Sequence, residues 1–304
     1  MTPGGGRRPS IVAVGGGHGL AATIRAARGY AGSVTAVVAT ADDGGSTGRL
    51  RSAKDMLAPG DLRRCLVAMA GIEQLPLGRA LEHRFAGTDV EGHALGNLLL
   101  AALGEVTGDP LAAIDEVARL LGLDPATARV LPATVEPVRL CGRTAGGAHV
   151  VGQVAVSATD DIEQVALDPP GARAPAGLAE TVLAADQVVL GPGSLYSSVL
   201  AAAVVDDLRD AIAKTDAQRV YVCNLHADGA ETRGYDAARH VEAVRAHGIE
   251  VDVVLVNSGT TESPTDVGAD TGVKVVTAEV ARPHGLAHDS VKLGSALAAL
   301  MSCS

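Results

Sequence analysis

Short apolar runs recur along the chain near residues 10–14, 34–40, 150–156, 187–190, 219–223, 251–256 and 273–277. Each reads as a strand, and helical patterns fall between many of them. That alternation predicts an α/β fold with a mostly parallel sheet and helices on both faces. The stretch near 60–125 carries no convincing strand and reads as consecutive helices. The stretch near 130–180 reads as irregular β structure. Neither has linker-like flanks, so both are expected as insertions, one helical and one a small β elaboration, in a single domain over residues 10–304. Residues 1–9 read as a disordered tail.

The segments just after the strands are more informative. Ser10-Ile11-Val12-Ala13-Val14 runs into Gly15-Gly16-Gly17-His18-Gly19-Leu20 and then a helix. Strand, glycine loop and helix together cradle phosphate, because glycines admit the anion to the backbone and the helix N-terminus supplies N–H donors. The match to a dinucleotide fingerprint is incomplete, since Leu20 stands at the third glycine position. Gln187-Val188-Val189-Leu190 followed by Gly191-Pro192-Gly193-Ser194-Leu195-Tyr196 repeats the unit. Ser194 is placed to cap that helix and leave other N–H groups for an anion.

A third strand ends in Asp42-Asp43-Gly44-Gly45-Ser46-Thr47-Gly48-Arg49-Leu50. This run packs no core and favours no helix. It sets acids, N–H groups and a cation at one strand tip, which suits a phosphorylated ligand. It also fits a solvated turn. Asn224-Leu225-His226 and Asn257-Ser258-Gly259 end two further strands. Ligands of open parallel sheets lie outside the carboxyl ends of the strands, and these tips converge on that edge.

Two helices carry polar residues that their packing does not require. In Pro59-Gly60-Asp61-Leu62-Arg63-Arg64, Asp61 reads as the N-cap. Leu62, Cys65, Leu66 and Met69 form the buried face, with Arg63 and Arg64 off it. Cations in a first turn oppose the helix dipole, which favours anion binding over ordinary solvation. In Gly92-His93-Ala94-Leu95-Gly96-Asn97, His93 and Asn97 share a helix face. An internal hydrogen bond is expected for His93, and contact with a ligand or its loop for Asn97.

Composition narrows the function. The chain has 304 residues, 47% hydrophobic, with 2% aromatics and no Trp. A net charge of −10 and so few aromatics argue against a nucleic-acid binder, which needs a basic face and stacking platforms. Cys65, Cys141, Cys223 and Cys303 form no CxxC pair and read as reduced thiols. No apolar stretch approaches the roughly 20 residues of a membrane span. Arg7-Arg8 does not begin an export signal, because Gly15-Gly16-Gly17-His18 interrupts the apolar segment after it. There is no HExxH or GxxxxGK[ST].

Taken in order, the glycine loop at 15–20, the acid run at 42–50, Pro59-Gly60-Asp61-Leu62-Arg63, Gly96-Asn97-Leu98-Leu99 and Gly191-Pro192-Gly193-Ser194-Leu195-Tyr196 resemble the YvcK family, once called gluconeogenesis factors. The wider superfamily includes CofD, the 2-phospho-L-lactate transferase of coenzyme F420 synthesis. The resemblance implies a Rossmann-like core and a bound UDP-sugar such as UDP-N-acetylglucosamine. It also implies cytoplasmic location and a role in cell shape and envelope growth on certain carbon sources, without an established catalytic activity. The positions it marks as ligand contacts are Gly15, Gly16, Gly17, His18, Gly19, Leu20, Asp43, Gly44, Gly45, Ser46, Arg49, Asp61, Arg63, Asn97, Gly191, Gly193, Ser194, Leu195 and Asn224. A homodimer and protein partners in envelope synthesis are expected. No cofactor is required, though Asp42 and Asp43 could hold Mg²⁺.

Three positions depart from the family pattern. His18 replaces a common Thr, Gly229-Ala230-Glu231-Thr232 interrupts a Gly-Glu-Thr run, and Ala287 replaces an Arg before His288-Asp289. A nucleotide-sugar-binding regulator is the leading reading. The alternatives are a CofD-like transferase, with Mg²⁺ on Asp42 and Asp43 and phosphate on Arg63 or Arg64, and an NAD(P)-dependent reductase. The two acids are expected to serve the ligand rather than the fold, so that Asp43→Asn keeps the melting temperature and weakens binding.

Overall fold

The structure, a computed structural model, describes residues 7–53, 56–87, 89–226, 229–258 and 272–302. Its elements run β1 (Ser10–Gly15), α1 (Gly17–Arg28), β2 (Ser33–Val38), α2 (Gly45–Ala53), α3 (Pro59–Ala70), α4 (Pro76–Glu82), α5 (Leu95–Thr107), α6 (Pro110–Leu120), β3 (Ala128–Pro132), β4 (Arg139–Thr144), β5 (His149–Val151), α7 (Gln153–Ser157) and β6 (Ile162–Asp168). Then come α8 (Leu178–Leu183), β7 (Gln187–Leu190), a π-helical turn (Leu195–Leu200) leading into α9 (Ala201–Ala203), α10 (Asp206–Lys214), β8 (Gln218–Val222), a 3₁₀ turn (Ala230–Thr232), α11 (Ala237–Ala246), β9 (Val253–Asn257), β10 (Lys274–Ala278) and α12 (Ser290–Met301).

Seven strands form one parallel sheet in the order β10-β9-β8-β7-β1-β2-β3. The strands are apolar on both faces because both faces are covered. Ile11, Ala13, Val189 and Leu255 pack under α1, α3 and α12, while Val12, Val14, Val188 and Val254 pack under α10, α11 and the π-helical turn. The core is built from Ala, Val, Leu and Ile, as the composition requires. Gly294 lets α12 close on α1, where an added Cβ would lie 2.8 Å from the Ala26 carbonyl oxygen. Among the described residues, no helix is long and apolar enough to cross a membrane.

The helical stretch after residue 60 is α3 to α6, and the β elaboration is an antiparallel sheet in the order β5-β4-β6. Three local expectations change. The strand expected over 150–156 ends at Val151 and gives way to α7, with Gly152 at φ +106° making the turn. The acid run favours a helix after all, because Gly45 opens α2 at φ +46° and the Asp42 carboxylate accepts from Gly44 N at 2.9 Å. Ala128–Pro132 joins the main sheet beside β2 instead of belonging to the β elaboration. Of the expected tail, residues 1–6 lie outside the described residues, as do Gly259 and Cys303. Arg7 donates to Asp186 at 2.9 Å, and the Pro9 carbonyl accepts from Gly32 N.

Asp109, Asp236 and Asp289 cap their own helices, but three other helix starts are served by carboxylates from elsewhere in the chain. Asp61 is not the cap of its own helix: Ala58 holds that place and Pro59 occupies the first turn. Asp61 Oδ2 instead accepts from Gly17 N at 2.7 Å, at the start of α1. Asp43 accepts from Gln153 N at 3.1 Å and Val154 N at 3.0 Å, at the start of α7. Glu231, 2% exposed, accepts from Tyr196 N at 3.1 Å and Ser197 N at 3.2 Å, at the start of the π-helical turn. Each satisfies N–H groups that a helix cannot satisfy itself.

Asp43→Ala is expected to lower stability by about 1 kcal/mol, the usual worth of an N-cap, with Asp43→Asn losing less because asparagine also caps. Thermal denaturation checks this, and an unchanged melting temperature for the alanine variant would return Asp43 to a purely ligand-facing role.

Acid sensitivity follows from the buried imidazoles. Burial pushes His240, beside the Tyr221 hydroxyl at 2.9 Å, down to about 4. His288 is likewise held down to about 4 by burial. The unfolded chain titrates them near 6.5, so between those values the unfolded state binds protons that the folded state refuses. Stability is fully present above that window and is lost as pH falls through it. The melting temperature should drop between pH 7 and pH 4.5, more shallowly in His240→Phe; a wild-type curve flat across that window contradicts the assignment.

Candidate functional site

The chain order reverses between β1 and β7. From β1 the sheet grows through β2 and β3, and from β7 it grows the other way through β8, β9 and β10. The carboxyl ends at such a reversal border a crevice that suits a ligand. Here the bordering segments are the two glycine loops.

These loops touch through backbone. A Cβ on Gly19 would fall 1.9 Å from the Pro192 carbonyl oxygen, so only glycine permits the approach. Thr23 Oγ1 donates to the Gly191 carbonyl at 2.6 Å. Gly17, Gly191 and Gly193 hold φ of +61°, +81° and +139°, angles that side chains oppose. Gly16 leaves room for Asp61, whose Oδ2 would sit 2.7 Å from an added Cβ. His18 stands exposed in the first turn of α1, and partial desolvation by the surrounding protein and the nearby Arg64 charge lower its imidazole pKa.

Several expected contacts have other work. Leu20 and Leu195 are wholly buried, so their side chains belong to the core. Arg63 falls off the buried face of α3 by its spacing, yet it is 3% exposed. Its guanidinium gives Nε and Nη2 to Glu82 at 3.0 and 2.9 Å and Nη1 to Asn97 at 2.6 Å. Gly96 makes this burial feasible, because a Cβ there would press on the Arg63 stem at 2.7 Å. Arg63 thereby engages Glu82 and Asn97 through all three guanidinium nitrogens. Arg49 donates outward to the Glu91 carbonyl at 2.8 Å. Ser194 occupies the cap position of the π-helical turn without a side-chain bond. Its expected free N–H groups at Tyr196 and Ser197 are filled by Glu231, a role that the sequence pattern does not reveal. The interrupted Gly-Glu-Thr run is the one signal for it. Asn224 uses its Oδ1 to accept from Gly193 N at 2.9 Å, bracing the loop.

The acids also regroup. Asp43 turns to α7, so the expected Asp42–Asp43 cation pair is split. Asp42 comes near Asp61 instead. A Cβ on Gly60 would lie 3.2 Å from Asp42 Oδ2 and 2.8 Å from Thr47 Oγ1. Burial raises the Asp61 carboxyl pKa and Asp42 raises it further, against the pull of Arg64, whose Nη1 lies 2.6 Å from Asp61 Oδ1, and of the Gly17 N–H. Among the described residues no group of three or more acids, histidines or cysteines is poised around a cation.

Asn97 reaches the acid-run helix through Ser46. Asn97 Nδ2 donates to Ser46 Oγ at 3.1 Å, and His93 Nδ1 meets the same oxygen at 3.0 Å. His93 itself lies just before α5, not on it. Two buried polar atoms near the strand tips lack a hydrogen-bond partner among the described residues: Thr40 Oγ1 after β2 and His288 Nε2. Such atoms are rare in folded proteins and call for water or a ligand.

The sequence matches the family described as 2-phospho-L-lactate transferase CofD over residues 11–288. It is 39% identical over 256 residues to a Halalkalibacterium halodurans protein named gluconeogenesis factor, covering 83% of this chain and 78% of that protein. It is 40% identical over 242 residues to a Nostoc protein named "Putative gluconeogenesis factor". That match covers 79% of this chain and 52% of that relative, so the chain spans about half of its length. The crystal structure of a UPF0052 family member from Bacillus halodurans superposes with a TM-score of 0.89 at 34% identity, covering 97% of this chain and all of that one. The fold, the match along residues 11–288 and these relatives agree: the chain belongs to the CofD family and, within it, stands with the gluconeogenesis factors.

Proposed function

We propose that the chain binds a nucleoside diphosphate sugar of the UDP-N-acetylglucosamine class at the carboxyl edge of its sheet and acts as a cytoplasmic regulator of envelope growth and carbon use. The observation that carries this reading is the β1–β7 reversal, where two glycine loops meet and the first turn of α1 opens between them. The diphosphate would lie along the N–H groups of residues 18–19 and the loop at 191–194. Arg64 would offer such a ligand a charge and His18 a hydrogen bond. The orphan hydroxyl of Thr40 and the imidazole of His288 supply hydrogen bonds for sugar or base. Protein partners in envelope synthesis and a homodimer belong to the same reading.

A second reading is phosphoryl-group transfer, after the name of the family. It is favoured by Asp42 and Asp61, which approach each other beside Arg64 as a cation-assisted site would need.

Thermal shifts with UDP-N-acetylglucosamine, UDP-glucose, GDP, NAD and UMP separate the readings. A UDP-sugar is expected to stabilise the chain by about 2.7 kcal/mol at a hundred times its Kd, with UMP weaker. No shift with any UDP-sugar overturns the binding reading. Product formation from a deazaflavin acceptor and an activated phospholactate donor would replace it with the transferase.

A further inference from the structure

Ser46 from α2 and His93 and Asn97 from around the start of α5 meet at one hydroxyl. The direction of each hydrogen bond can be worked out. Arg63 has donors only, so the Asn97 atom it meets at 2.6 Å is the carbonyl oxygen. The Asn97 amide therefore turns its N–H to Ser46 Oγ. Ser46 accepts there, and in the Nε2–H tautomer of His93 its own proton points to Nδ1, 3.0 Å away. Burial and the charges of Arg49 and Arg84 lower the His93 pKa, which favours the neutral imidazole.

The rest of the chain supports the same polarity. Arg63 is buried and gripped by both oxygens of Glu82. Its charge polarises the Asn97 amide, and the amide faces the oxygen on which negative charge would develop. A base on one side of a hydroxyl and a charge-backed donor on the other is the arrangement of an activated nucleophile. Ser46 sits in the first turn of α2, directly after the Asp42 turn, and is 3% exposed.

We propose that Ser46 is a nucleophile that accepts a phosphoryl-linked group from a phosphoanhydride bound at the strand tips. The inference rests on the nucleotide-sugar reading and goes beyond binding. Ser46 Oγ attacks the β-phosphorus of a nucleoside diphosphate sugar, and its proton passes to His93 Nδ1. The bond from that phosphorus to the bridging oxygen breaks. The nucleoside monophosphate leaves with the electron pair, and the sugar phosphate stays on Ser46 as a phosphodiester. Asn97 steadies the attacking oxygen, and Arg63 is a positioning residue.

The full chain is incubated with UDP-N-acetylglucosamine and Mg²⁺, then read by intact mass, peptide mapping, UMP release and thermal shift on one sample. The expected result is one sugar phosphate on the Ser46 peptide with equimolar UMP, no adduct in Ser46→Ala, and at least tenfold slower formation in His93→Gln, whose rate loses the wild-type dependence on imidazole ionisation. A fluorophosphonate probe should label Ser46 in the absence of nucleotide. A thermal shift with neither adduct nor UMP overturns the proposal and leaves binding intact. The absence of shift, adduct and probe labelling overturns both.

Discussion

The fold depends on carboxylates that leave their own segment to satisfy the start of a helix in another. A helix exposes several N–H groups at its N-terminus, and burying them unpaired costs about 1–3 kcal/mol each. The starts of α1, α7 and the π-helical turn meet this demand with Asp61, Asp43 and Glu231. Each contact joins distant pieces: α3 to α1, the acid run to the β elaboration, and the 3₁₀ turn to the second glycine loop. The carboxyl edge of the sheet is thereby shaped before any ligand arrives.

The same contacts give that edge its charge. An anion approaching α1 finds Gly17 N already occupied and an acid beside it, while Arg64 draws on that acid. The positive end of the helix is therefore partly spent inside the protein. The groups left for a ligand are the N–H of later residues in the turn, the exposed imidazole of His18 and the backbone of the 191–194 loop.

The main sheet is legible in the sequence because its strands are short apolar runs separated by helical periodicity, and six of the seven parallel strands follow from that pattern. The convergence of strand tips is legible too, since glycine, aspartate and asparagine cluster there. Side-chain destinations are not. Arg63 obeys the wheel of α3 as a solvent residue, and only Gly96, from a helix further along the chain, reveals the slot that takes it in. Residues 153–156 read as part of a strand because valines favour strands. The cap that makes them helical comes from Asp43, 110 residues away from Gln153. Glu231 presents the same difficulty, because local pattern cannot show a carboxylate's distant partner.

The Gly19–Pro192 contact has an evolutionary consequence. At position 19 any side chain would wedge the two halves of the sheet apart, whatever ligand the crevice serves. Selection for a new ligand therefore cannot work through that position. Its neighbour His18 is exposed and can change without disturbing the junction. Any change of ligand would thus be channelled to the residue beside the seam and not to Gly19.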